Sequence, residues 1–553
     1  MVYIGIMTSE VSAIAPTAVS AGPGAPSSAG TSTGTSTGTS TGAPDAAANT
    51  QSNTQSNTQS NTHPNAPTVS AADAAMRAAK GERIPGKLIG AIVAVGSLAF
   101  FGILTETVMN VLFPQLMGTM HVSAATIQWL TTGYLLVVSI TVPLSPWLRR
   151  RFLQRDIFIA ADLFSIAGCV VMAVGAAFPV LLFARVLGGI GAGLALPLMF
   201  NIILEQAPHS KIGQLMGLGT LVVGTAPALG PAVGGFVSAY VSWRVIFIAL
   251  IPIMLACLAL GVATIEQKRE VGKPKFMYIQ FLELSLGFCG LIVFINQGAE
   301  AVSVSRGGGS VATPAALCVV GALVGLGGLA AFGHRTGHSP TPMIRLGVLR
   351  NGAFRCHLLS YMLYQGVTIG FGYIIPNVPQ MSMGTPMLVA GLLILPGSLV
   401  GALFSPVGGM LLDRFGARKP ILSASVLAVA ALAALAVLGQ MMTPALLAVL
   451  YVVYMVGFSL CYANIMTSGL SLLSVDARPD GNAMFSTLQQ FAGAAGTTVV
   501  ATVISVFQSG SGKIGSPAYA AATRTGAQID YAIMAVIIVV VLVAMTRALR
   551  RRD

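Results

Sequence analysis

Fourteen apolar runs of membrane-spanning length follow one another from residue 88 to residue 549, and no other feature of the chain restricts its fold so tightly. A hydrocarbon layer about 30 Å thick takes about 20 residues of helix to cross, with every backbone polar group bonded inside the segment. The runs lie near 88–113, 126–146, 157–177, 180–204, 213–237, 245–264, 277–297, 311–332, 355–379, 386–412, 420–440, 444–474, 484–508 and 528–549. A transmembrane barrel would instead need short alternating segments. Only 8% of the 553 residues are charged and 54% are hydrophobic, where a soluble domain carries about 25% charge. The expected fold is an all-α polytopic membrane protein.

The placement of Lys and Arg tests the count of spans independently, because cytoplasmic loops collect basic residues. With the N-terminus in the cytoplasm, Arg149, Arg150, Arg151 and Arg155 fall between spans 2 and 3, and Lys268, Arg269, Lys273 and Lys275 between spans 6 and 7. Arg414, Arg418 and Lys419 lie between spans 10 and 11, and Arg547 and Arg550–Arg552 follow span 14. Arg244, Arg306, Lys513 and Arg524 fall outside. A wrong count would scramble this alternation. Both termini are therefore expected in the cytoplasm of a multi-pass plasma-membrane protein. The formal net charge of +13 reads as loops of this kind, with no nucleic-acid partner implied.

Residues 1–85 obey different rules. "TSTGTSTGTSTG" (31–42) and "QSNTQSNTQSNT" (51–62) are four-residue repeats without apolar content, which cannot bury enough surface to offset their ordering entropy. A disordered cytoplasmic tail is expected, and Met76, just before "RAAKGERIPGK", is an alternative start. The remainder divides into 86–265 and 341–553, each with six spans, and an insert at 266–340 with two. A weak repeat relates the two larger parts: "PLSPWLRRRFLQR" (143–155) follows span 2 and "PVGGMLLDRFGARK" (406–419) follows span 10. Two related halves with a site between them is the common plan of secondary transporters. The six cysteines show no CxxC spacing and the six histidines are scattered, so neither a metal centre nor an intramembrane enzyme is expected.

Chemistry concentrates in a few stretches. "FFGILTETVMN" (100–110) carries Glu106 inside span 1, where an ionisable group costs roughly 2.5–3.5 kcal/mol on insertion scales. Asn110 follows four residues later on the same helical face, a neutral polar neighbour and a candidate for lining a substrate path. "ARVLGGIGAGLALP" (184–197) places Arg185 within span 4, about one turn from its outer end, with Gly189 and Gly193 forming a small-residue stripe. Arg185 either snorkels to the outer headgroups or meets Glu106 at a shared depth. Glu106 in turn is either half of a structural ion pair or a group that exchanges protons. "GTAPALGPAVGG" (224–235) packs prolines and glycines into span 5, so that helix should be kinked and closely approached by its neighbours. In "GMLLDRFGARK" (409–419), Gly409 is expected to let span 10 approach a neighbour and Gly416 to form a tight turn, while Asp413 can pair with nearby cations. Asp162 and Glu283 lie near cytoplasmic ends, where snorkelling or capping suffices. Tyr361, Tyr364 and Gln365 on span 9 and Gln489 and Gln490 on span 13 are candidates for lining a substrate path, packing being the ordinary alternative.

Together these stretches resemble the drug:proton antiporters of the major facilitator superfamily. "TAPALGPAVGG" looks like the antiporter motif, fourteen spans point to the EmrB/QacA branch, and residues 104–145 resemble lincomycin-resistance (LmrB-type) members. The resemblance covers roughly residues 88–550 and implies two six-helix bundles plus a two-helix insert. It implies that Glu106 is the membrane-embedded acid of helix 1 and that Arg185 is the arginine of the helix 4 motif. Pro227, Gly230, Pro231, Gly234 and Gly235 match the antiporter motif, and Asp413, Arg414, Gly416 and Arg418 match the gating-loop signature. Gly188 stands where relatives often carry glutamine. The implied activity is proton-coupled efflux of small amphipathic or lincosamide-like compounds by a monomer, with protons and the bilayer as partners and no cofactor beyond the proton gradient. A metabolite carrier of the same superfamily is the alternative.

Overall fold

The computed structural model describes residues 84–553 except 209–210, 268–270, 274, 307–308, 340–341 and 551–553. The tail expected for residues 1–85 lies, apart from its last two residues, outside the described residues. Among the described residues, fourteen helices are long and apolar enough to cross a membrane. They are α1 (Gly86–Met120), α2 (Trp129–Arg151), α3 (Gln154–Val174), α4 (Phe178–Gln206), α5 (Ile212–Tyr240), α6 (Arg244–Thr264) and α7 (Tyr278–Arg306). The second seven are α8 (Ala312–His338), α9 (Gly352–Met383), α10 (Met387–Phe415), α11 (Arg418–Leu438), α12 (Pro444–Leu470), α13 (Arg478–Gln508) and α14 (Pro517–Arg550). Each expected span falls on one of them.

Within the first half α1 packs against α4, α5 and α6, and α3 against α4 and α6; within the second, α9 packs against α12, α13 and α14, and α11 against α12 and α14. The halves meet where α1 touches α9, α2 touches α13 and α5 touches α10. Alternation of fourteen helices puts the α2–α3, α6–α7 and α10–α11 connections at one end, here called the basic end for its arginines. Lys87–Glu266 (2.7 Å), Arg149–Glu205 (3.0 Å) and Arg335–Glu283 (2.8 Å) are ion pairs at that end. Glu283 is thus tied to the neighbouring helix of the insert.

The α7–α8 hairpin is held by glycines. A side chain at Gly321 would meet Phe294 N at 2.7 Å, and one at Gly325 would meet Leu291 N at 2.7 Å. Such backbone-to-backbone approach replaces the hydrophobic effect as the cohesive force between helices in lipid. The hairpin then lies across the line where the halves meet: Phe288 of α7 stacks on Phe491 of α13 (centroids 4.5 Å, 19°), beside Tyr134, Leu135 and Val138 of α2. Gly325→Val should therefore cost about 1–3 kcal/mol by overpacking. A lower thermal unfolding midpoint in detergent checks this, and an unchanged midpoint would contradict it.

Candidate functional site

The α1 turn around Glu106 is buried from every side. Glu106 is 6% exposed and Asn110 4% exposed, and the Glu106 carboxylate makes no hydrogen bond or ion pair among the described residues. Arg185, 3% exposed, points at the same turn without pairing to that acid. Its Nε donates to Leu130 O (2.8 Å) and its Nη1 to Thr105 O (3.3 Å). The guanidinium also lies 4.1 Å from the centre of the Tyr134 ring. Tyr134 in turn donates to Gly102 O (2.7 Å), one turn before Glu106. Of the two roles open to Arg185, this is neither snorkelling nor a direct ion pair: the cation is clamped by carbonyls and an aromatic face beside the acid, close enough to act on it electrostatically. A cavity of ≈ 20 Å³ adjoins Arg185 between Thr105, Ser165 and Gly188, about the room one water needs. Arg185 Nη2 is buried without a partner.

The glycines of α4 and α5 explain how these helices come so close. Gly189 and Gly193 face α2, where added side chains would lie 2.9 Å from Tyr134 O and 2.7 Å from Thr141 Cβ. On α5, Gly230 sits against Thr107 and 3.0 Å from Leu104 O, and Gly234 against Val111 Cγ1 (2.7 Å). These are the α1 residues flanking Glu106. The next residue, Gly235, about 100° further around the helix, faces the other half: a side chain there would meet Met387 O at 2.8 Å and Gly391 Cα at 3.3 Å. Gly391 lies against Pro231 O in return. The motif-bearing helix, with Pro227 and Pro231 inside it, therefore grips the acid-bearing turn on one face and the other half of the molecule on the other.

A second contact between halves follows from a proline. Pro114 lies inside α1 and has no N–H, so the carbonyl of Asn110, four residues earlier, loses its helical partner. Asn377 of α9 takes that place, its Nδ2 donating to Asn110 O at 2.8 Å and to its own Tyr373 O at 2.7 Å. Gln380 Nε2 reaches Val111 O (3.2 Å), and Thr132 and Thr498 hydroxyls pair at 2.9 Å between α2 and α13. All of these contacts lie toward the end opposite the basic one. The Asn110 side chain is spent within its own half, accepting from Thr131 Oγ1 (3.2 Å).

In the second half, Tyr361 and Gln489 are brought together, the phenol donating to the amide at 3.2 Å. Gln365 and Gln490 are half-buried, whereas Tyr364 is fully buried and its hydroxyl has no partner. Tyr361 also stacks on Tyr462 (4.1 Å, 12°), which stacks on Phe458 (4.5 Å). The half-buried rings of Phe458 and Tyr462 were missed in the sequence, although Tyr454, Phe458 and Tyr462 recur every four residues, the spacing of one helical face.

Three expectations change. Gly409 makes no close approach, since nothing lies within 4 Å of a side chain placed there; Gly408 does, 3.0 Å from Leu460 O. One residue shifts the contact by about 100° around the helix. Asp413 is exposed and makes no ion pair among the described residues, and Arg414 lies over Phe415 (5.3 Å). Gly416 does end α10 with a positive φ (70°) that favours glycine, and Arg418 begins α11. Asp162 does not snorkel: it is 0% exposed and both carboxylate oxygens lack partners. Asp530, at the start of the last apolar run, is equally buried and equally bare.

The chain matches the sequence profile of the Major Facilitator Superfamily over residues 95–497. It belongs to that superfamily. The transporter is 32% identical over 422 residues to the lincomycin resistance protein LmrB of Bacillus subtilis (strain 168), covering 76% of this chain and 86% of that protein. The LmrB of Listeria innocua serovar 6a is 33% identical, covering 77% and 88%. In fold the transporter resembles the crystal structure of a bacterial homologue of the human lysosomal transporter Spinster in an inward-facing, unoccupied conformation. That match has a TM-score of 0.60 at 16% identity and covers 85% of this chain and 98% of that one. The chain is a multi-pass membrane transporter, with fourteen helices of spanning length among the described residues.

Proposed function

We propose that the protein exports small amphipathic compounds, lincosamide-like ones among them, in exchange for protons. The observation that carries the reading is the double grip of α5, whose glycines hold the Glu106 turn on one side and α10 of the other half on the other. A change at the acid is thereby tied to the seam that must part for the site to change sides. With the basic end in the cytoplasm, the latched end faces outward, and the conformation described is closed to the outside. Glu106 takes a proton when the site opens outward and releases the exported compound; facing inward it loses that proton and admits the next molecule. Arg185, fixed by carbonyls of α1 and α2, holds a constant positive charge beside that acid. The half-buried Tyr462 and Phe458 rings, backed by the buried Tyr361, and Gln489 offer an apolar, weakly specific surface for the compound. The similarity to lincomycin resistance proteins supports this substrate class.

The test is a susceptibility panel in strains with and without the gene, with accumulation measured before and after an uncoupler. Lower accumulation of lincosamides or amphipathic cations, abolished by the uncoupler, is expected. Uncoupler-insensitive extrusion would sink the proton-driven reading.

A further inference from the structure

We propose that Asp530 is a second proton-binding residue, in the half opposite Glu106, and that its protonation accompanies closure of the end latched by Asn377 and Asn110. The inference rests on the alternating-access reading above and adds to it a group that no motif marks. Asp530 is 1% exposed, and neither carboxylate oxygen has a hydrogen-bond partner. Its helix packs against α9, α11, α13 and the turn Gly439–Met441. From α9 the titratable group that reaches it is Tyr373, close enough to interact electrostatically. From α14 itself comes Tyr531; Tyr519 of the same helix reaches Tyr373, and Arg524 is turned away to Ser382 O (3.0 Å). Beyond their first residues at the basic end, α11 and α13 contain no titratable side chain, and the turn contains none. The hydroxyls of Tyr373 and Tyr531 are also buried without partners.

A carboxylate with neither donor nor counter-ion is not sustained in such a place, whereas the neutral acid is. The position matters because Tyr373 belongs to the latch: its carbonyl accepts from the same Asn377 amide that holds Asn110. When α9 parts from α1, that amide is released and water gains a route past Tyr373. The Asp530 O–H bond then breaks, its proton passing to water and its electron pair staying on the carboxylate. Closure requires the reverse, with the proton drawn from the outer solution.

A state that binds one more proton is favoured up to about tenfold for each unit of falling pH. Spin labels at Val241→Cys and Val389→Cys, both exposed and on opposite halves, report the separation of the latched end in reconstituted protein. The wild type should shift toward the closed distance as pH falls. Asp530→Asn should stay closed and lose about one proton's worth of that slope, with Asp530→Glu restoring it. A wild-type slope in Asp530→Asn overturns the proposal. If the Asn variant does not fold, Tyr373→Phe serves instead, and an unmoved midpoint of the same titration overturns it equally. Failure here leaves uncoupler-sensitive export intact, so the two readings fall separately.

Discussion

Glu106→Gln is expected to reduce uphill export to the level of cells lacking the gene while leaving the protein folded and inserted. Gln keeps the volume and polarity of the side chain but cannot exchange a proton. The native carboxylate makes no hydrogen bond or ion pair among the described residues, so the substitution breaks no contact on which the fold depends. It also removes an ionisable group from a site 6% exposed, which lowers the cost of burial. What it removes is the coupling: a proton moving down the gradient gains about 2.3 kcal/mol per 100 mV of membrane potential, and the variant has nothing at this position to carry it. Downhill equilibration of the compound should persist, because the alternation of the halves does not itself require the acid to be charged. The measurement is accumulation of a labelled lincosamide in energised everted vesicles, beside counterflow in vesicles without a gradient. Loss of the first with retention of the second is the expected result. Energised accumulation at the wild-type rate would remove Glu106 from the coupling mechanism.

The fold was legible because membrane helices announce themselves one at a time: each must be long, apolar and internally bonded, and the arginines fix the alternation without reference to packing. The acid of α1 was legible for the same reason, as an expensive group in an apolar run. Partnership between helices was not. Arg185 could be placed near Glu106 in depth, but its rotation about α4, toward Leu130 O, Thr105 O and the Tyr134 ring, depends on how α2 lies against α1. Gly408 and Gly409 are adjacent, and only the packed structure says which of them faces α12. Asn377 reads as an ordinary polar residue in an apolar helix until Pro114 is found to have freed the carbonyl it binds, 267 residues away. Asp530 sits where the last apolar run begins, and there sequence cannot separate a loop acid from a buried one.

Gly391→Leu should abolish transport by a route independent of the proton. Gly391 lies against Pro231 O, with Pro231 C at 3.1 Å and Gly235 Cα at 3.2 Å from a side chain placed there. These are backbone atoms of a helix already wedged against α1 by Gly230 and Gly234, so they cannot yield as a flexible side chain would. Overpacking of this kind costs about 1–3 kcal/mol. On the alternating-access reading this contact joins the halves only when the latched end is closed, so that cost falls on one state alone, shifting the balance toward the open state by roughly 5- to 150-fold. A transporter held open at one end binds its compound and does not turn over. Labels at Val241→Cys and Val389→Cys should show the open separation at all pH values, in contrast to Asp530→Asn, which should stay closed. Gly409→Leu is the companion variant: with nothing within 4 Å of it, it should export normally. If Gly391→Leu exports at the wild-type rate, or if both variants fail alike, the α5–α10 contact is not the seam on which closure depends.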